Sequence, residues 1–194
     1  ALSLPRRAAL LAHARAHDAV LIEDDYDGEF RYGGRPLDAL QTLDRDARVF
    51  YVGTFSKSLF PAVSTGFVVA PAWARDTLLA IKRGSDANVP APQQETLAAF
   101  IREGHLARHV RKMTPVYAQR REALLEALDG GLRPWLRPVP SLAGLHLAAH
   151  VVDAAQARKV FDALHRHAPG AQSAAEYAMQ PDAPPMAVFG YGVI

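Results

Sequence analysis

A lysine flanked by small hydroxyl residues is the most reactive group that the sequence offers. Lys57 lies in the segment GTFSKS, residues 53–58, directly after an apolar run that predicts a strand. Partial burial there favours the neutral amine, which is a nucleophile toward an aldehyde. The hydroxyls of Thr54 and Ser56, with backbone amides of the following turn, are suited to hold phosphate oxygens. The alternative interpretation is an ordinary surface lysine after a strand.

A run of acids around a tyrosine, EDDYD at residues 23–27, follows an earlier apolar segment. One interpretation is a solvated acidic loop, and a second is a magnesium site, because carboxylates at strand ends bind this ion. A third is a pyridoxal phosphate site. There, a carboxylate buried beneath the pyridine ring keeps the ring nitrogen protonated and makes the ring a better electron sink, while a phenol hydrogen-bonds the 3-oxygen. Carboxylate, phenol and amine form a combination that neither segment implies alone.

Alternating helices and short apolar strands must position these two segments. An amphipathic helix is predicted over residues 5–17, with Ser3 as its cap and Pro5 in its first turn. The elements predicted after it are buried strands at 19–22, 48–52 and 66–70, a polar Gly-rich loop through 33–36, and a helix at 72–83. This order indicates an α/β layer with a mostly parallel sheet. In such sheets functional groups gather at the carboxyl ends of the strands.

The second half of the chain has a different pattern. The segment NVPAP at residues 88–92 ends the first series of elements, and a helical pattern follows over 93–128. Pro115 lies inside that pattern and is predicted to kink or split the helix. From Leu132 on, a smaller α+β lobe is predicted, with strands at 145–147 and 187–189, a helix over 154–167 and weakly patterned residues 169–185.

Composition excludes several classes of protein. The 194 residues suffice for one globular domain or for a large and a small lobe. Without cysteine there are no disulfides or thiolate metal sites. No apolar run approaches the roughly 18 residues of a membrane helix, so a soluble protein is expected. The net charge is +2 and the basic clusters are short, so no nucleic-acid-binding surface is predicted.

The motifs around both segments resemble those of MocR-type regulators. The resemblance rests on EDDYDGEFRY at 23–32, on Gly33, Arg35, Pro36 and Leu37, on GTFSKSLFP at 53–61, on EGHLARH at 103–109 with Met113 and Tyr117, and on GLHL at 144–147. It therefore covers nearly the whole chain. MocR-type regulators join an N-terminal GntR-type winged helix-turn-helix to an aminotransferase domain. The EDDYD form is specific, because related stand-alone aminotransferases more often have a proline before the tyrosine.

The resemblance implies a fold and a domain organisation. The fold is α/β, that of the fold-type I pyridoxal-phosphate-dependent transferases, with a mostly parallel sheet in the large domain and a small α+β C-terminal domain. Residues 1–90 would be the C-terminal part of the cofactor-binding large domain, and 91–194 the long connecting helix and the small domain. The family further implies a cytoplasmic homodimer that contacts DNA only through a separate N-terminal winged helix-turn-helix.

The resemblance also implies a role for each candidate residue. By position, Asp24 pairs with the pyridine nitrogen and Tyr26 contacts the 3-oxygen. Lys57 forms the internal aldimine with pyridoxal 5′-phosphate. Thr54 and Ser56 lie near the phosphate. No metal ligand is implied.

The chain departs from the family pattern in two ways that predict weaker cofactor binding. An arginine commonly follows seven residues after the lysine and clamps the phosphate, whereas this chain has Ser64 there, which keeps a hydrogen bond but not the charge. The family's upstream phosphate loop, stacking aromatic residue and asparagine would lie before Ala1, and residues 186–191 lack an arginine for the substrate carboxylate. Both ends look cut, so we expect an internal piece of a longer protein with an incomplete active site.

Two further features have simpler explanations. His105 and His109 have the i, i+4 spacing of a helical metal chelate, but the family resemblance implies a structural role for both. Arg31 and Tyr32 either contact the cofactor region or a partner subunit, or have a plain structural role, which we favour.

Three functional hypotheses follow. The leading one is the effector-sensing domain of a transcription regulator, in which pyridoxal phosphate and an amino compound shift the conformation of an attached DNA-binding module. The second is a stand-alone aminotransferase that moves an amino group between an amino acid and a 2-oxo acid, with Lys57 also shuttling the proton. The third is an inactive fragment of either.

Overall fold

The computed structural model describes residues 2–26, 28–33, 38–85, 90–180 and 182–192. The chain forms two compact units. The first comprises Ala1–Asp27 and Arg35–Arg108, and the second comprises Gly28–Gly34 and His109–Ile194. Residues 34–37, which include most of the predicted Gly-rich loop, lie outside the described residues, as does the Asn88-Val89 part of the predicted breaker.

The first unit consists of short strands and helices in the predicted order. They are α1 (Leu4–Ala16), β1 (Leu21–Asp25), α2 (Leu40–Leu43), β2 (Val49–Thr54), β3 (Gly66–Val69), α3 (Arg75–Ser85) and α4 (Ala91–Arg102). The predicted strands and helices are confirmed to within a few residues at each end, except that the short α2 was not predicted. Ser3 does occupy the N-cap of α1, but its side chain makes no capping hydrogen bond.

The three strands form a mixed sheet in the order β1-β2-β3. β1 pairs with β2 in parallel, and β2 pairs with β3 antiparallel. Uniformly parallel strands would have required a crossover between β2 and β3 of a dozen or more residues, usually a helix. Only residues 55–65 connect them, and these contain a single 3₁₀ turn, Pro61–Val63. The short connection therefore accounts for the antiparallel β3.

The long helical pattern is interrupted at a glycine instead of at its proline. α4 ends at Arg102 and α5 (His105–Asp129) begins three residues later. Gly104 has φ +75°, a left-handed conformation that glycine adopts without steric cost. The sequence predicted a kink or a split at Pro115, and the helix is not split there, since this residue lies within the continuous helix α5.

The second unit is an antiparallel sheet with one helix of its own besides most of α5. Its remaining elements are β4 (Leu136–Pro138), β5 (His146–Val151), α6 (Ala157–His167), β6 (Ala171–Ser173) and β7 (Met186–Gly190). The strand order is β4-β5-β7-β6. The predicted α+β lobe is therefore observed. β4 and β6 were not predicted, because three residues are too few to display an alternating pattern.

Apolar packing is concentrated in the second unit. One core cluster joins α5 and α6 to the sheet and contains Leu128, Leu136, Ala149, Val151, Val160, Ala187 and Phe189. A second cluster contains Phe30, Tyr117, Leu145, Leu147 and Tyr191. Among the described helices, none has the length and apolar character needed to cross a bilayer.

Candidate functional site

The acids at the end of β1 differ in what they contact. Glu23 accepts hydrogen bonds from the backbone N–H groups of Leu40 (2.7 Å) and Gln41 (3.1 Å), and thereby caps the N-terminus of α2. Asp25 accepts a hydrogen bond of 2.8 Å from the hydroxyl of Tyr51. Asp24 is exposed and has no hydrogen bond or ion pair to any residue within the described ranges. Two of the three carboxylates are therefore anchored, and the one between them is left available.

The pleat of the sheet places Asp24 on the face opposite its two neighbours. Successive side chains of a strand point to opposite faces, so Glu23 and Asp25 share one face and Asp24 lies on the other. In the parallel register Asp24 pairs with Val52, and Thr54 lies two residues further along β2. Paired residues point to the same side, so Asp24 and Thr54 share a face near the carboxyl ends of their strands.

The hydroxyls that precede Lys57 form a compact turn after β2. The Oγ1 of Thr54 lies 3.1 Å from the Oγ of Ser56 and accepts a 3.2 Å hydrogen bond from the Ser56 backbone N–H. The single hydroxyl proton of Thr54 is directed to Ser56 or to the carbonyl of Thr65, 3.4 Å away. Ser56 keeps its own proton to donate elsewhere. Of the two predicted phosphate contacts, Ser56 is the better donor.

Lys57 is half-buried and forms no hydrogen bond or ion pair with another described residue. Its neighbour Ser58 is only 1% exposed, and the Ser58 hydroxyl has no partner in the part of the chain that the structure describes. A buried hydroxyl without a partner costs about 1–3 kcal/mol, so its presence calls for an explanation. A carboxylate and an amine without partners among the described residues, each near the end of one of two neighbouring strands, suit a polar, ionisable cofactor such as pyridoxal phosphate.

Two further positions from the sequence analysis are Tyr26 and Ser64. Tyr26 follows β1 directly and is half-exposed. Ser64, which stands where the family has an arginine, is exposed and adopts a left-handed conformation with φ 42°. Its backbone N–H donates to the carbonyl of Pro61 at 3.1 Å, which closes the 3₁₀ turn. The backbone at Ser64 is thus fixed by the turn.

Three residues near the site were missed by the sequence analysis. Tyr51 anchors Asp25, and its only sequence signal is a phenol within an otherwise apolar strand. Gln93 donates its side-chain amide to the carbonyl of Val63 and, at 2.9 Å, to the hydroxyl of Thr65, tying α4 to the segment after Lys57. Ser58 stood beside Lys57 in the motif, but only the structure shows it to be buried.

An apolar cavity of about 420 Å³ lies in the first unit beside the segment that follows Lys57. Its lining comprises Leu59, Phe60, Ala62, Val63, Pro92, Gln93, Thr96, Leu97 and Phe100. None of the five predicted cofactor residues lines this cavity. The polar candidates lie at strand ends instead.

The structure also bears on the alternative sites. Among the described residues, no three His, Asp or Glu side chains come together as a metal site. His105 lies 3.2 Å from the carboxylate of Glu103. In the second unit, Arg31 forms a backbone bridge with Ala143, and the Arg121 guanidinium lies 5.5 Å from the ring centre of Tyr32. These contacts fit the structural role that we favoured for Arg31 and Tyr32.

Transcription regulators are among the known proteins whose sequences are similar to this chain. The chain is 39% identical over 143 residues to the probable rhizopine catabolism regulatory protein MocR of Rhizobium meliloti, covering 74% of this chain and 29% of that protein. It is 38% identical over 146 residues to the pyridoxine biosynthesis transcriptional regulator PdxR of Corynebacterium glutamicum, covering 74% of this chain and 32% of that protein. The chain therefore spans about a third of these relatives, and the predicted resemblance to MocR-type regulators is confirmed.

The fold has solved counterparts. The structure superimposes on LysN, the α-aminoadipate aminotransferase of Thermus thermophilus, with a TM-score of 0.83 and 25% identity, covering 99% of this chain and 50% of LysN. LysN was solved in complex with N-(5′-phosphopyridoxyl)-L-leucine. The predicted fold-type I class is confirmed. The sequence profile described as Aminotransferase class I and II matches residues 1–166. The chain therefore belongs to the aminotransferase class I and II family.

Proposed function

We propose that this chain is the pyridoxal-phosphate-binding, aminotransferase-like effector domain of a MocR/GntR-type transcription regulator. The observation that carries the cofactor assignment is the carboxylate of Asp24, which has no partner among the described residues and lies between two anchored acids. The assignment as a regulator is supported by relatives that are themselves transcription regulators. The bound cofactor would supply an electron-withdrawing ring that responds to amino compounds.

Each candidate residue would contact a different part of the cofactor. Asp24 would accept a hydrogen bond from the protonated pyridine nitrogen and so hold the proton there. Tyr26 would hydrogen-bond the 3-oxygen. Ser56, supported by Thr54, would donate to the phosphate. Lys57 would attach the cofactor covalently through its Nζ.

The organisation of the whole protein is part of the proposal. Residues 1–90 would form the C-terminal part of the cofactor-binding large domain, and 91–194 the connecting helix and small domain. The protein would act as a homodimer and contact DNA through a separate winged helix-turn-helix. An amino compound that reacts at the cofactor would be the effector, since a ligand shifts an equilibrium only by binding one conformation better than another.

A stand-alone aminotransferase is the second candidate. The likeness to LysN, an α-aminoadipate aminotransferase, favours it. Lys57 would then also move a proton at the substrate Cα. Ser64 in place of the phosphate-clamping arginine and the lack of an arginine in residues 186–191 argue against efficient transamination.

The cofactor assignment is tested by titrating the full-length protein with pyridoxal phosphate. We expect a visible absorption band from the covalently bound cofactor in the wild type and none in Lys57→Ala. Asp24→Asn should keep the band but bind the cofactor at least about tenfold more weakly, because a hydrogen bond to a charged group contributes roughly 1.5–3 kcal/mol. Lys82→Ala serves as the control. A band that survives in Lys57→Ala would refute the assignment.

Two measurements on the same preparation distinguish the regulator hypothesis from the enzyme hypothesis. Fluorescence anisotropy with the DNA upstream of the gene should show binding that pyridoxal phosphate alters in the wild type. In Lys57→Ala, DNA binding should persist but no longer respond to the cofactor. Sustained amino transfer to 2-oxo acids, together with no DNA binding, would favour the enzyme instead.

A further inference from the structure

The strand tip that carries Asp24 is held by a hydrogen bond that none of the assigned roles explains. Asp25 is the last residue of β1, and its Oδ2 accepts the hydroxyl proton of Tyr51 at 2.8 Å. Tyr51 lies on β2 and pairs with Glu23 in the register, so its side chain reaches diagonally toward the end of β1. The bond therefore joins the two strands at the point where Asp24 and Tyr26 flank Asp25.

The ring of Tyr51 also lies beside an aromatic ring of β3. Phe67 of β3 pairs with Gly53, and its ring centre lies 6.0 Å from that of Tyr51. A Cβ at Gly53 would lie 2.5 Å from the ring Cζ of Phe67, so only glycine allows this close packing. The ring thus covers the backbone of Gly53 and limits where the Tyr51 side chain can lie.

The direction of the Asp24 carboxylate depends on this anchoring. β1 has five residues, and among the described strands it pairs with β2. Strand ends fray unless side chains or further pairs hold them. Glu23 is fixed by the N-terminus of α2 and Asp25 by Tyr51, both on the face away from Asp24. With both neighbours fixed, the pleat determines where Asp24 points.

We propose that Tyr51 and Asp25 form a positioning pair that holds Asp24 and Tyr26 toward the cofactor. Both side chains of the pair lie on the face of the sheet opposite Asp24. The pair therefore acts on Asp24 and Tyr26 only through the backbone of β1. This proposal rests on the proposed function, because it assumes that Asp24 and Tyr26 bind pyridoxal phosphate. Residues that contact a ligand keep a precise geometry only when neighbouring residues fix their positions.

The test compares four variants of the full-length protein: Tyr51→Phe, Asp25→Ala, Asp25→Asn and the double variant Tyr51→Phe/Asp25→Ala. The readouts are the dissociation constant for pyridoxal phosphate and the pH at which the absorption spectrum of the bound cofactor changes. We expect Tyr51→Phe and Asp25→Ala each to weaken binding by about three- to tenfold, as expected for the loss of one hydrogen bond. Both should also shift the spectral transition. Asp25→Asn keeps an acceptor oxygen and should remain close to the wild type.

The double variant shows whether the two residues act as one unit. If they do, it should be no worse than either single variant, whereas independent effects would multiply. Tyr177→Phe, at an exposed position of the second unit, is the matched control and should leave both readouts unchanged.

Wild-type binding and spectrum in Tyr51→Phe, or multiplying effects in the double variant, would overturn the positioning role and leave the proposed function standing. A wild-type protein that shows no visible band with pyridoxal phosphate would instead overturn the proposed function, and the positioning role with it. If Tyr51→Phe does not fold, the contrast between Asp25→Ala and Asp25→Asn decides the question, because only the alanine removes the acceptor.

Discussion

The two compact units stabilise their structure in different ways. In the second unit, α5 and α6 pack against a four-stranded sheet, and both core clusters found among the described residues lie there. In the first unit, α3 and α4 contain no buried residue, and all four residues of β3 are exposed. The candidate cofactor residues all belong to the first unit. Because apolar packing is sparse around them among the described residues, the site is ordered by hydrogen bonds that Glu23 and Asp25 accept and that Gln93 donates.

The largest expected contrast between the units is in core truncation. Leu128 of the second unit is 0% exposed, and Leu128→Ala should lower the unfolding free energy by about 2–5 kcal/mol. Leu79 on α3 is 43% exposed, and Leu79→Ala should change the unfolding free energy by less than about 0.5 kcal/mol. Urea denaturation followed by circular dichroism measures both. Equal losses would show that the first unit is packed as tightly as the second.

A buried hydrogen bond in the second unit should have a smaller effect. The hydroxyl of Tyr191 donates to the carbonyl of Gly144 at 2.5 Å in a buried position. Tyr191→Phe leaves that carbonyl without this donor and should cost about 1–2 kcal/mol. Tyr177→Phe, at a position 70% exposed, is the control and should be neutral. The same denaturation curves give the answer, and a neutral Tyr191→Phe would argue that water replaces the lost donor.

The units should also lose stability at opposite ends of the pH scale. Burial raises the pKa of Tyr32 and of Tyr117 above the usual 10.0, the Tyr32 phenol most strongly. The folded second unit therefore disfavours both phenolates. The stability that the two neutral phenols contribute is fully present below pH 10 and is lost as the pH rises further. Tyr32→Phe should reduce this loss of stability at alkaline pH.

Asp44 in the first unit behaves in the opposite way. Burial raises the pKa of this carboxyl, but hydrogen bonds from the backbone N–H groups of Asp46, Val49 and Arg48, with the Arg48 charge, outweigh it and lower the pKa below 3.8. The stabilisation is present above pH 3.8 and is lost as the pH falls through the folded-state value. Thermal unfolding of Asp44→Asn and of the wild type should converge at low pH. Curves that stay parallel would exclude this linkage.

The smallest effect is expected from a surface ion pair of the first unit. Arg15 and Asp46 approach to 2.6 Å, but the arginine side chain is 65% exposed. Asp46→Asn should cost only about 0.2–1 kcal/mol, because solvent screens the pair. Repeating the measurement in about 1 M NaCl should remove the difference. A loss that salt does not reduce would point to a packing role for Asp46.

The comparison also shows where sequence patterns stop being informative. Apolar runs were enough to locate β1, β2 and β3 and to place the acids and Lys57 at strand ends. The direction of β3 could not be deduced from its apolar run, because it depends on the length of the connection after β2. β4 and β6 were too short to form a pattern.

The sequence could not show which acid of β1 lacks a partner among the described residues. The answer depends on partners 17 and 26 residues away, Leu40 for Glu23 and Tyr51 for Asp25. Such long-range hydrogen bonds leave no local pattern. The role of Gly104 as the helix break was equally hidden, since Pro115 looked like the stronger breaker.

Chemical trapping of the cofactor tests the central claim most directly. The full-length protein, loaded with pyridoxal phosphate and reduced with borohydride, is digested and its peptides are mapped by mass spectrometry. Of the four lysines of the chain, only Lys57 should carry the cofactor mass, with Lys82, Lys112 and Lys159 unmodified. Cofactor on another of these lysines, or on none, would contradict the account.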